Sequence, residues 1–328
     1  MTSLARRRLL TACALSACGF ARAGDVFAAS DRSDNRNVIA LVMKSLNDPF
    51  VTTMIEGAKN YQRHFAAQLD LQTYGTQTGN DVAGQIKIVE SLIDAKVGAI
   101  VIAPADSKAL LVPAAKALAA GIIVIAIDNP FDDAAQDAAK VTIPFVGPDS
   151  RRGARLVGAY LGTKLKAGSE VGIIEGPLND HNARQRTLGF RQAMDTAGVR
   201  VAASDSGDWS EASGKSIALQ MLYARPTLSA FLCANDSIAI GAIDGIRIAG
   251  KQGRVMVTGY NNIDAVQPML QDGRMLATVE QFGARQAVFG VDVAVKAILE
   301  HRREGDLSPF METPVEVVTK AQAFKFRN

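Results

Sequence analysis

Cysteine and histidine are scarce in this chain of 328 residues, three of each. Cys13 and Cys18 lie close to the N-terminus, which leaves Cys233 alone in the body of the chain. A single cysteine makes no intramolecular disulfide, and within the apolar run Ala230 to Ala234 it reads as a small buried hydrophobe. His64, His181 and His301 are not spaced as metal ligands, so no metal and no cofactor is expected. Glycine-rich phosphate loops are missing: neither G-x-x-x-x-G-K-S/T nor G-x-S-x-G occurs, and the stretch Lys44 to Pro49 after the first strand-like run has no glycine. A basic field is missing too. Arg6, Arg7, Arg8 and Arg22 account for four of the 36 basic side chains and Asp25 for one of the 33 acidic ones, which leaves 32 of each after residue 28. A neutral body offers nothing to attract nucleic acid.

Long apolar runs are also lacking. The stretch Leu9 to Ala17 is too short to span a bilayer, and it follows the cationic Arg6-Arg7-Arg8. That order is the layout of an export signal. Ala21-Arg22-Ala23 and Phe27-Ala28-Ala29 suit ordinary cleavage, Leu15-Ser16-Ala17-Cys18 resembles a lipobox, and Ala5 to Leu10 resembles a twin-arginine signal. Residues 1–28 are expected to be a signal peptide, possible as a lipoprotein or twin-arginine type. The mature protein is expected in the periplasm, with Cys18 as its lipid anchor where the lipobox is used.

What is present is a long alternation of strand-like and helical patterns. Continuous apolar runs such as Ile122 to Ile127 are the mark of strands buried on both faces, hence of parallel sheets covered by helices. Strands are predicted at 38–43, 69–74, 99–103 and 122–127, and again at 171–175, 200–204, 230–234, 255–260, 276–281 and 315–319. Helical spacing fills the intervals, ending in a long helix over 284–301. The two series predict an α/β protein of two doubly wound parallel-sheet domains joined by three short hinge crossings, with a ligand cleft between them. Residues 35–147 with 282–308 are expected to form the N-terminal lobe, and 148–281 with 309–328 the C-terminal lobe. The crossings are placed near 146–149, 281–283 and 308–314.

Ligands of open α/β sheets sit at the carboxyl ends of strands. Polar residues follow nearly every predicted strand: Lys44 and Asp48, Asp106, Asp128-Asn129, Asp180 to Arg184, Trp209, Asn235-Asp236, Asn261-Asn262 and Gln281. Strand ends are equally the places where polar side chains cap helices, so each residue alone carries both readings and only their convergence carries weight.

Seven motifs stand in order, one after each expected strand: Lys44-Ser-Leu-Asn-Asp-Pro-Phe50, Ala103-Pro-Ala-Asp-Ser107, Ile127-Asp-Asn129, Asn182-Ala-Arg-Gln-Arg186, Ala234-Asn-Asp236, Gly259-Tyr-Asn-Asn262 and Ala277-Thr-Val-Glu-Gln281. From Asn37 to Lys320 the chain resembles the periplasmic sugar-binding proteins of the ribose, galactose and arabinose type. The resemblance implies that Asp128 and Arg184 grip sugar hydroxyls from opposite domains, that Asn235, Asn261 and Gln281 add hydrogen bonds, and that Phe50 and Trp209 cover the two faces of the ring. Lys44, Asp48, Asn129 and Asp180 are expected at the rim. It also implies capture of a monosaccharide or sugar alcohol, delivery to the membrane permease of an ABC transporter, possible presentation to a chemoreceptor, a monomeric state and no catalysis.

The departures shape the ligand expectation. The ribose type has a neutral hydroxyl residue at Lys44, Asn at Asp48 and Ala103, Arg at Asn129 and Asp at Asn261. Lys44, Asp48 and Asn261 are more similar to the arabinose-binding member and Asp180 to the galactose-binding member, which argues against ribose itself. A charged sugar derivative, an amino sugar or sugar acid, is the alternative that Lys44 and Asp48 suggest. A glycosidase pair of Asp128 and Asp180 is the enzymatic rival.

Overall fold

A computed structural model describes residues 35–325, apart from 68 and 303. The expected signal peptide and Cys18 lie outside the described residues. Two six-stranded sheets organise the chain. The first contains β1 (Val38–Ser45), β2 (Asp70–Thr76), β3 (Ala99–Ile102), β4 (Ile123–Ile127), β5 (Phe145–Pro148) and β11 (Phe310–Thr313). The second contains β6 (Glu170–Glu175), β7 (Arg200–Ser206), β8 (Ala230–Cys233), β9 (Met256–Thr258), β10 (Ala277–Glu280) and β12 (Glu316–Thr319). Their strand orders, β11-β5-β4-β3-β1-β2 and β12-β10-β9-β8-β6-β7, are doubly wound. Among the strand pairs of the described residues, only β10–β12 is antiparallel.

Burial on both faces is visible residue by residue. In β1, Val38, Ala40 and Val42 face α2 (Val82–Asp94) and α3 (Leu111–Ala119), whereas Ile39, Leu41 and Met43 face α1 (Pro49–Phe65) and α10 (Gly283–Leu299). The strand period of two therefore feeds two separate cores. In the second lobe Val171 and Ile173 pack with α5 (Ser150–Gly162) and α6 (His181–Thr196), while Ile174, Phe231 and Cys233 pack toward α7 (Glu211–Ala224) and α8 (Asp236–Ile248). Cys233 is fully buried, and burial raises its thiol well above the usual range.

Three elements escape the predicted pattern. α4 (Asp133–Ala139) is a short helix with no buried residue, so its sequence carries no apolar stripe. β5 is only four residues and contains Gly147 and Pro148. β11 corrects the expected lobe boundary: residues 310–313 return to the first sheet and pair in parallel with β5, not with the second sheet. The ring of Phe310 stacks on Phe145 at 5.7 Å, which ties this edge strand down although its sequence, Phe-Met-Glu-Thr, has no β-branched run. α9 (Gln267–Asp272) completes the helices. The chain thus passes between lobes at 148–150, 281–283 and 314–315.

Helices α5 and α6 touch closely because Gly189 has no side chain. A Cβ there would stand 2.3 Å from the Arg151 carbonyl oxygen and 2.9 Å from the Arg155 nitrogen. Both are backbone atoms that no rotamer change moves aside. Gly189→Ala is expected to lower stability by about 1–3 kcal/mol despite alanine's better helix propensity, read as a lower midpoint in urea at unchanged slope. An unchanged or raised midpoint contradicts this packing.

Candidate ligand site between the lobes

Most helices begin just after a strand, and their N-caps are polar. Asp48 accepts from Phe50 N at 2.8 Å, Asp180 from Ala183 N at 3.0 Å and Asn235 from Ile238 N at 2.8 Å. These caps satisfy otherwise orphaned N–H groups, and the same residues crowd the carboxyl edges of both sheets. The backbone is unusual there. Asp128 (φ 59°), Trp209 (φ 73°), Asn261 (φ 114°) and Phe282 (φ 53°) all adopt the left-handed region, where a side chain costs energy and persists only when its surroundings demand it.

Between the lobes lies a cavity of about 400 Å³, in the size range of small-molecule sites. Lys44, Asp48, Phe50 and Asp128 line it from the first lobe, and Trp209, Asn235 and Asn261 from the second, with Gln281 at a crossing. Phe50 is buried and Trp209 half-buried. Gly176 makes room for the indole: a Cβ at that position would stand 2.4 Å from Trp209 Cη2.

Three expected site residues fall elsewhere. Arg184 does not line the cavity; its Nη1 donates to the Leu178 carbonyl at 3.1 Å. Arg186 stands in its place. Two positions along a helix rotate a side chain by about 200°, so the two arginines leave α6 on opposite sides. Arg186 is 3% exposed. It donates to the Ala234 carbonyl at 2.9 Å and to Gln281 Oε1 at 3.5 Å. Its guanidinium lies 3.8 Å from the Tyr260 ring centre and 5.7 Å from that of Trp209, a stacked arrangement that arginine favours. Burial pushes the Tyr260 phenol up to about 12. Arg186 Nε and Trp209 Nε1 have no partner among the described residues.

Asn129 is fully buried behind the cavity wall. It donates to the Pro104 carbonyl at 2.8 Å and accepts from Asn182 N at 3.1 Å. Asp180 is likewise buried and lies behind Lys44. His181 opens α6 and does not line the cavity; burial, joined by Arg184, lowers its imidazole pKa. Asn182, like Arg186, is a residue that motif reading left without a role. It lines the cavity and donates to the Asp128 carbonyl at 2.8 Å and to Asp128 Oδ1 at 3.3 Å.

Charge in the site is arranged as a network. Lys44 Nζ is 3.2 Å from Asp128 Oδ2 and 3.0 Å from Asp180 Oδ2. Burial lowers the Lys44 pKa, but Asp180 and Asp128 together outweigh it, and the net direction is upward. Asp48 moves up as well, chiefly through burial. Gln281 donates to Asn261 Oδ1 at 2.7 Å, and Gln286 donates to the Gln281 carbonyl at 2.7 Å. Among the described residues no group of three or more His, Cys, Asp or Glu is placed to hold a metal, and no helix is long and apolar enough to cross a membrane.

Residues 39–301 match the family described as the periplasmic binding protein domain. The chain belongs to that family. Within it, the chain is a periplasmic sugar-binding protein of the ribose-binding type. It is 49% identical over 320 residues, covering 97% of this chain and 99% of its relative, to a D-ribose/D-allose-binding protein of Pseudomonas aeruginosa. A solute-binding protein of an ABC transporter from Burkholderia multivorans, solved with an unknown ligand built as α-D-erythrofuranose, is similar at 54% identity. Its TM-score is 0.83, covering 86% of this chain and 99% of that one. A third, from Actinobacillus succinogenes with bound D-allose, is similar at 28% identity with a TM-score of 0.82, covering 88% and 99%. The two-lobed sheet arrangement of this family is the one described above.

Proposed function

We propose that this periplasmic binding protein captures a neutral aldose with the D-ribo arrangement at C2, C3 and C4, and releases it unchanged to an ABC-type permease. The observation that carries the reading is the paired lining of the cavity. Asp128, an acceptor, lines it from one lobe and Arg186, a donor, from the other, together with the rings of Phe50 and Trp209. A carboxylate takes two hydroxyls and a guanidinium donates in a fork, so the pair matches a ring carrying adjacent hydroxyls.

Stereochemistry comes from the relatives. D-ribose and D-allose, named for the Pseudomonas protein, share their configuration at C2 to C4, and D-allose is the ligand of the Actinobacillus protein. This outranks the arabinose and galactose character read from Lys44 and Asp180, because those two side chains bond to each other. Lys44 and Arg186 face Asp48, Asp128 and Asp180, a surplus of negative charge that disfavours a sugar acid. Catalysis has no support: Asp128 and Asp180, the rival carboxylate pair, converge on one ammonium instead of flanking the cavity.

The test is a melting screen followed by calorimetry. At a hundredfold excess over its Kd, a ligand is expected to stabilise the fold by about 2.7 kcal/mol. D-allose and D-ribose should do so, L-arabinose and D-galactose less, and D-glucuronate not at all. A response confined to sugar acids, or to no aldose, overturns the reading.

A further inference from the structure

We propose that Lys44 and Asp180 form a clasp that holds the two lobes together on the α6 side of the cleft and positions Asp128 for the ligand. Lys44 is the last residue but one of β1 in the first lobe, and Asp180 caps α6 in the second. The ammonium reaches Asp180 Oδ2 at 3.0 Å and Asp128 Oδ2 at 3.2 Å, and the three side chains are 12%, 2% and 9% exposed. Asp180 is fixed at its other oxygen by the Ala183 N–H, so it has no freedom to follow Lys44 if the lobes part. Opening therefore breaks the bridge and leaves Asp180 without its counter-charge, still close to the N-terminus of α6.

The neighbouring bonds share this side. Asn182 of the second lobe donates hydrogen bonds to Asn129 and Asp128 of the first, and Asn179 donates to Asp106 at 3.1 Å. All are made of protein groups alone and need no ligand. The opposite rim differs. Asn47 bonds to Gln77 within the first lobe, and Ser210 to Asp208 within the second. There the lobes meet at Gly79, where a Cβ would stand 3.4 Å from Trp209 Cδ1. Among the described residues one rim is clasped by charge and the other only touches. Lys44 and Asp180 are positioning residues in this scheme. The net upward direction of the Lys44 pKa agrees with an ammonium held by two carboxylates.

The proposal uses the sugar-binding reading only for the location of the ligand, and its first readout needs none. Small-angle scattering is measured on the protein without sugar, for wild type, Lys44→Met and Asp180→Asn; asparagine keeps the cap acceptor for Ala183. The expected result is a larger radius of gyration in both variants than in wild type, with return to the wild-type value at saturating D-allose. Affinity for D-allose should fall about tenfold, mainly through faster dissociation. Lys44→Arg should restore both readouts at least in part. Lys44→Met/Asp180→Asn should be no worse than either single variant, since one bridge is lost only once; it also serves where a single variant fails to fold. Sugar-free scattering identical in wild type and variants, or strictly additive losses in affinity, overturns the clasp. If no sugar binds to any form, the sugar-free comparison still decides it.

Discussion

Arg186→Ala is expected to weaken binding of the sugar at least a hundredfold, whereas Arg184→Ala changes it less than twofold. A hundredfold is about 2.7 kcal/mol, within reach of losing one or two charge-assisted hydrogen bonds at roughly 1.5–3 kcal/mol each. Arg186 is suited to that role because its rigid contacts are already made. The Ala234 carbonyl and Gln281 hold one end, Tyr260 supports its plane, and Nε is left over among the described residues. A donor that is ordered before the ligand arrives loses little entropy on binding. Arg186→Lys should still cost tenfold or more, since an ammonium neither stacks on Tyr260 nor donates as a fork. Arg184 bonds to its own loop at Leu178 and stands outside the cavity. Isothermal calorimetry on both variants, with thermal melts to confirm folding, decides the matter. Loss of binding in Arg184→Ala with normal binding in Arg186→Ala would reverse the assignment.

The exchange of Arg184 for Arg186 shows what the sequence carries and where it stops. Motif order placed both residues in Asn182-Ala-Arg-Gln-Arg186, and the choice between them was a question of helix phase. The phase was in fact legible. Asn182, Ala183, Arg186, Thr187, Gly189, Phe190, Ala193 and Met194 are the buried positions of α6, and the apolar members Ala183, Phe190 and Met194 define an inward stripe that passes through 186. Carrying the period through the motif would have chosen the arginine that lines the cavity.

The strands were legible for a different reason: runs such as Ile122 to Ile127 are apolar on both faces, which few other structures require. β5 and β11 were not, because a four-residue strand with Gly147 and Pro148, and an exposed edge strand held by one aromatic stack, lack any such pattern. Asn129 and Asp180 illustrate a third limit. Position after a strand brings a polar residue to the cleft, but only the tertiary fold decides whether it faces the cavity or a buried partner. Asn129 turned toward Pro104 and Asn182, and Asp180 toward Lys44.

Asp236 makes stability depend on pH, in the direction opposite to that of a surface carboxylate. It stands beside Asn235 at the start of α8 and is fully buried. Burial pushes its pKa from the ordinary 3.8 up to about 7, against the opposing pull of the Thr278 hydroxyl and the Ile263 N–H and with a further push from Glu280. The hydrogen bonds are real, at 2.6 Å from Thr278 and 2.9 Å from Ile263, but they do not replace the lost hydration of a charge. Glu280 is itself moved upward by burial, and Cys233 and the Tyr260 phenol, both held protonated, add no positive charge nearby. The sign follows from proton counting. Between pH 3.8 and about 7 the folded state keeps a proton that the unfolded chain has released, so this group's contribution is complete below pH 3.8 and is lost as pH rises through 7. The gap corresponds to on the order of 4 kcal/mol. Asp236→Asn cannot ionise, and its amide still accepts from Ile263 while donating to the Thr278 oxygen. In urea unfolding, the variant should therefore gain on wild type between pH 5 and about pH 7, by a few kcal/mol in all, and the gain should level off from there to pH 8. Parallel stability curves for the two proteins across that range would show that Asp236 is charged in the fold at neutral pH and that its surroundings stabilise the carboxylate after all.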